Sequence, residues 1–132
     1  MTLKKFKLLI SQLAFFGALY FVSMTIFKDI YLFEWTARNR YLYIWVLIAI
    51  LTIFGKKYTA LSLTVGNLIG IIAGQLSGDY IKNENIKKIT ETMEAHEVYR
   101  LHTHYGFYIW VLTLVIFLVI GVVVQRNSNK NR

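Results

Sequence analysis

Apolar residues fall into long runs separated by short charged segments. Residues 8–27 are twenty positions without a charge, residues 59–78 another twenty, and residues 107–124 eighteen. Each run is long enough to cross the roughly 30 Å hydrocarbon core of a bilayer as a helix. A fourth run, residues 41–54, has fourteen residues and reaches only about 21 Å as a helix. Extended to Tyr58, with Lys56 and Lys57 snorkelling to the interface, it reaches about 27 Å and spans. The pattern predicts four crossings, at about 8–27, 41–57, 59–79 and 106–124, with a polar loop at about 80–105. The expected fold is an all-α integral membrane protein, one four-helix transmembrane domain over residues 1–132. The first run has a basic start, but it is longer than the roughly 7–15 apolar residues of a signal peptide, so it is expected to remain as a crossing.

Charge sets the expected orientation. With both termini inside, the inner segments carry Lys4, Lys5, Lys7, Lys56, Lys57, Arg126, Lys130 and Arg132 and no acid. The outer segments carry all seven acids, Asp29, Glu34, Asp79, Glu84, Glu91, Glu94 and Glu97, with seven bases. The inner bases are packed into short juxtamembrane pieces, the arrangement of an N-in/C-in protein. The net charge of +8 is therefore read as topology and attraction to anionic lipid at the inner face, not as a nucleic-acid footprint. Trp35, Trp45 and Trp110 fall at the outer end of a crossing or in an outer loop, where amphipathic rings collect. The segment DIYLFEW, residues 29–35, is expected to lie in the outer interface. The expected location is the plasma membrane of a bacterial cell.

Within the third run a small residue recurs at every fourth position: Ser62, Gly66, Gly70, Gly74 and Gly78. In lipid, helices associate through close van der Waals contact and polar bonds, so this glycine-zipper spacing predicts a packing face. Its partner is a helix of the same chain, a second copy or another membrane protein. Asn67, Gln75 and Asp79 form a neighbouring stripe. An amide near the bilayer midplane is costly unless paired, and Gln12 is a candidate partner for Asn67. The alternative is a polar path opening outward. Asp79 adjoins the end of the crossing, where it either pairs with Arg38 or Arg40 or sits on a helix that continues to Lys82.

Residues 87–110 hold all three histidines. Thr92 is placed to cap a short helix with Glu94 in its first turn, and Glu97, Arg100 and His104 would share a stripe. His96, His102 and His104 are the candidate metal ligands, but their spacing fits no zinc or copper pattern, so no metal and no cofactor is expected. The chain has no cysteine and no proline, and no nucleophile elbow or phosphate-binding loop. No enzyme activity is expected. The leading functional expectation is a non-enzymatic accessory, regulatory or self-assembling membrane subunit. The alternative is an oligomeric transporter or channel using Asn67, Gln75 and Asp79. A second alternative is an outer-surface metal or pH sensor using the histidines.

Overall fold

The computed structural model describes residues 2–131. The helices are α1 (Leu3–Thr25), α2 (Tyr31–Asn39), α3 (Tyr41–Ile53), α4 (Lys57–Ile86), α5 (Ala95–Leu101) and α6 (Gly106–Lys130), and no strand occurs among the described residues. Three of them, α1, α4 and α6, are long and apolar enough to cross a membrane, and α3 is a shorter apolar helix.

The second run ends earlier than the hydropathy pattern implies. Gly55 adopts φ +79°, the left-handed conformation that stops a helix, and the Lys56 amide bonds back to Leu51 O at 2.8 Å. Lys56 and Lys57 thus belong to the turn and to the start of α4, not to a lengthened second crossing. With 13 residues, α3 is about 20 Å long. A single residue, Arg40, joins it to α2, and its guanidinium lies 5.4 Å from the Trp35 ring centroid.

Segment 29–35 is also more structured than a strip lying in the interface. From Tyr31 it forms α2, whose Leu32, Thr36 and Ala37 are buried against the bundle. Their spacing of four and five places them on one helical face. In the other direction, α4 does not stop near residue 79. Nothing between Gly78 and Ile86 breaks a helix, and α4 runs for 30 residues, about 45 Å.

Neighbouring long helices run antiparallel. Lys5 Nζ, near the start of α1, donates to Ile53 O at the end of α3 at 2.9 Å, and Gln125 Oε1, near the end of α6, accepts from the Tyr58 amide at the start of α4 at 3.0 Å. The start of α1, the end of α6 and the α3–α4 turn therefore share one basic end of the bundle. Helix α2, the helix α5 and the start of α6 lie at the other. Helix α4 is the central element, packed most extensively on α6 and in contact with α2 and α3, while α1 rests on α2 and α3.

The small-residue face of α4 is what allows the α4–α6 contact. A Cβ added at Gly66 would meet Phe117 Cβ at 2.5 Å, one at Gly70 would meet Trp110 Cδ1 at 3.1 Å, and one at Gly74 would meet Gly106 O at 2.6 Å. Ser62 Oγ donates to Phe117 O at 2.6 Å, and a Cβ at Gly121 of α6 would meet Ser62 Cβ at 2.9 Å. Of the three possible partners of this face, the fold supplies a helix of the same chain.

Candidate functional site

The polar side chains of α4 are distributed among several neighbours. Asn67 is fully buried, and its Oδ1 accepts from Trp110 Nε1 on α6 at 3.0 Å. Gln12 is not its partner: Gln12 Nε2 donates to Thr52 Oγ1 across α1 and α3 at 3.2 Å. Asn67 Nδ2 has no hydrogen-bond partner among the described residues. One turn above Asn67 the stripe is interrupted by Ile71, which is also fully buried. Asn67 is thereby separated from Gln75 and Asp79 by an aliphatic side chain at the intervening position on the same face.

Gln75 acts on α2. The N-cap residue of α2, Ile30, has no side chain able to accept from the first-turn amides. Gln75 Oε1 takes that role from another helix, accepting from the Leu32 amide at 2.7 Å. Gln125 does the same for α4, whose N-cap position is Lys56. In both cases a glutamine on a neighbouring helix satisfies an amide that the helix leaves open.

Above Gln75 the interactions continue to Asp79 and His104. Gln75 Nε2 donates to Asp79 Oδ2 at 2.9 Å, and His104 Nε2 lies 2.9 Å from Asp79 Oδ1. The Gly106 amide donates to His104 Nδ1 at 3.1 Å. That bond requires Nδ1 to be an acceptor, so the ring proton sits on Nε2 and points at the carboxylate. Asp79 therefore pairs with a histidine returning from the loop. Arg38 instead pairs with Glu34, and Arg40 stacks on Trp35.

Gly78 makes room for this histidine. A Cβ there would collide with the His104 imidazole and lie 2.8 Å from the Gly106 amide, and a Cβ on Gly106 would lie 2.6 Å from His104 Cε1. The ring of Tyr31 covers the imidazole at 4.9 Å between centroids. His104 is only 10% exposed, while half of the Asp79 side chain remains open. That open half faces a cleft of about 770 Å³ lined by Asp29, Tyr31, Lys82, Tyr99 and His102 among others. This cleft is the candidate site.

Of the other histidines, His102 lines the cleft and His96 does not, and neither contacts Asp79. His96 Nδ1 is 3.2 Å from Glu94 Oε2 in an exposed pair, and His102 Nδ1 donates to Val98 O at 2.8 Å. No group of three or more His, Cys, Asp or Glu side chains is placed to hold a metal ion among the described residues. The short helix begins later than a Thr92 cap implies. It starts after Glu94, whose amide donates to the Glu97 carboxylate at 3.3 Å. Because α5 ends at Leu101, His104 does not share a helical stripe with Glu97 and Arg100.

Sequence reading missed Trp110, Gly106 and His104 as partners of the α4 residues. The available signal was Gly106 itself, the one glycine at the start of the last apolar run. The Asn67–Trp110 bond makes a specific prediction. Asn67→Leu is expected to destabilise the bundle by about 1–3 kcal/mol, because it leaves the indole N–H buried without an acceptor. Asn67→Leu combined with Trp110→Phe, which removes both partners, is expected to recover part of that loss. Unfolding followed by helical circular dichroism checks both. No protein-family model matches this chain, and neither the curated proteins nor the solved structures contain a significant match to it.

Proposed function

We propose that the chain is a non-enzymatic multi-pass subunit of the plasma membrane, with four crossings, both termini inside and its basic end on anionic lipid. The observation that carries this reading is the use of the polar side chains in the long helices. Gln12–Thr52, Asn67–Trp110, Gln75–Leu32, Asp79–His104 and Gln125–Tyr58 each join two different parts of the chain. They act as clamps between elements, and Ile71 separates the deepest from the rest. The start of α1 and the end of α6 lie at the same end of the bundle, which supports an even number of crossings between them, with α2 and α3 together making the second. Through such a subunit the outer surfaces of α1 and α6, largely apolar and exposed, meet lipid or a larger assembly.

A second reading, a small-solute carrier, draws support from the cleft that reaches Gln75 and Asp79. Reconstitution separates the two. In liposomes, Asp79→Asn is expected to lower thermal stability and to leave ion and solute flux at the background of empty vesicles. Flux by the wild-type chain that disappears in Asp79→Asn, with the unfolding midpoint unchanged, would overturn the subunit reading in favour of the carrier.

A further inference from the structure

The basic end of the bundle holds two adjoining pockets. One, of about 230 Å³, is lined by Thr2, Lys4, Lys5, Thr52, Lys57 and Gln125 among others. The other, of about 210 Å³, has an apolar wall from Leu51, Leu118 and Val122 and a basic rim from Lys56 and Arg126. Gln125 lines both and is fixed by its bond to the Tyr58 amide. Lys5 is fixed as well, through Ile53 O.

These lysines lack the usual compensation. No acid occurs in residues 1–28, 35–78 or 98–132, so no carboxylate belongs to the segments that build the pocket. Lys4 and Lys5 occupy the first turn of α1, and Lys57 is the first residue of α4. Cations are therefore held at the positive ends of two helix dipoles, where acidic side chains are the favoured occupants. Lys4, Lys5 and Lys57, each at the unfavourable end of a helix, line one cavity, with Lys57 Nζ 4.9 Å from the Tyr58 ring centroid, and a bound anion would relieve them. The Thr2 hydroxyl, which accepts from the Lys5 amide, keeps its own proton as a neutral donor of the kind that completes a phosphate site. The neighbouring apolar wall identifies the source of the anion, since a free phosphate has no use for it.

We propose that the pocket bounded by Lys4, Lys5 and Lys57 binds the phosphate of an anionic phospholipid, with part of the lipid's apolar body against Leu51, Leu118 and Val122. This deepens the reading of the basic end as the inner membrane face, and it rests on that reading. It replaces diffuse attraction to a charged surface by a site of defined residues.

The test uses the full chain in nanodiscs of phosphatidylcholine, alone or doped with phosphatidylglycerol. Lipid retained after mild detergent extraction is read by native mass spectrometry as phosphatidylglycerol is titrated. Lys4→Gln/Lys5→Gln/Lys57→Gln is expected to weaken phosphatidylglycerol retention by roughly a hundredfold, taking about 1 kcal/mol for each lysine. The matched triple Lys28→Gln/Lys87→Gln/Lys88→Gln, at the other end, is expected to retain it as the wild type does. Arginine at the three pocket positions is expected to keep binding, which separates lost charge from lost folding. Equal losses in the two glutamine triples, or no loss in the first, would overturn the site. Inorganic phosphate that binds in phosphatidylcholine nanodiscs with the same dependence on Lys4, Lys5 and Lys57 would overturn the lipid in favour of a free-phosphate site. Failure of the wild type to enter nanodiscs would instead sink the membrane reading on which the site rests.

Discussion

Gly74→Ala is expected to destabilise the bundle by about 1–3 kcal/mol, the usual range for an overpacked contact. Gly17→Ala is expected to be neutral or to stabilise it by up to about 1 kcal/mol, the helix-propensity gain. Both exchanges add one methyl group to a long helix, so composition alone does not distinguish them. Their surroundings do. At Gly74 the new Cβ would lie 2.6 Å from Gly106 O and 2.8 Å from Leu32 Cδ2, whereas nothing lies within 4 Å of a Cβ at Gly17. The leucine tip can swing aside, but the Gly106 carbonyl is backbone at the start of α6 and moves only if α4 and α6 separate. Gly70→Ala should fall between the two, because its nearest neighbours, Trp110 Cδ1 and Thr113 Cβ, stand at 3.1 and 3.2 Å. Denaturant titration in mixed micelles, followed by helical signal and tryptophan emission, measures the series. Equal effects at Gly74 and Gly17 would mean that α4 and α6 do not make this contact.

The same series tests whether the small-residue face serves a second copy of the chain. A face already occupied by α6 is not open to another molecule. Gly74→Ala should then act on folding of the monomer, with no dependence on protein concentration. A loss that grows on dilution in detergent would instead point to an interface between chains.

Hydropathy and spacing made much of this legible. The apolar runs located α1, α4 and α6, although α1 begins earlier and α4 and α6 end later than the runs, and the four-residue repeat lies on the face of α4 where added Cβ atoms would meet α6. What could not be read was the partner. Spacing defines one side of a contact, and the other side is Trp110, Thr113, Phe117 and Gly121, which are spaced by three and four like any helical face but share no residue type that marks them. The turn at Gly55 was hidden by the lysines after it, which look equally like a snorkelling helix end or a reversal. Helix α2 was hidden because alternating aliphatic and aromatic residues beside charges resemble an interfacial strip, while its buried face has only three members, Leu32, Thr36 and Ala37. The role of Gly78 was the least legible. As part of the repeat it reads as one more close helix contact, yet the space it leaves is filled by a histidine from a loop 26 residues further along the chain.

That histidine is the second large expected effect. His104→Ala is expected to release the segment from α5 to the start of α6 while leaving the α4–α6 core in place. The imidazole joins three parts of the structure: it meets the Asp79 carboxylate through Nε2, accepts from the Gly106 amide at Nδ1, and fills the gap between Gly78 and Gly106 under the Tyr31 ring. Removing it empties that gap and leaves Asp79 Oδ1 to the solvent it already half faces. Asp79→Asn tests the bond by a different route. Its amide group can still accept from Gln75 through oxygen, but the nitrogen then confronts the His104 Nε2–H, donor against donor. The two single changes are expected to be non-additive, with a coupling of about 1 kcal/mol in a double-mutant cycle. The coupling is small because the carboxylate is half open to solvent. Hydrogen exchange provides the spatial readout. Amides of residues 95–107 should lose protection in both variants, while those of residues 63–71 should keep it. If the cycle is additive and the loop stays protected without His104, this end is held by contacts such as Trp35 on Phe107 instead, and the polar bond at the rim of the cleft contributes nothing to closing this end of the bundle.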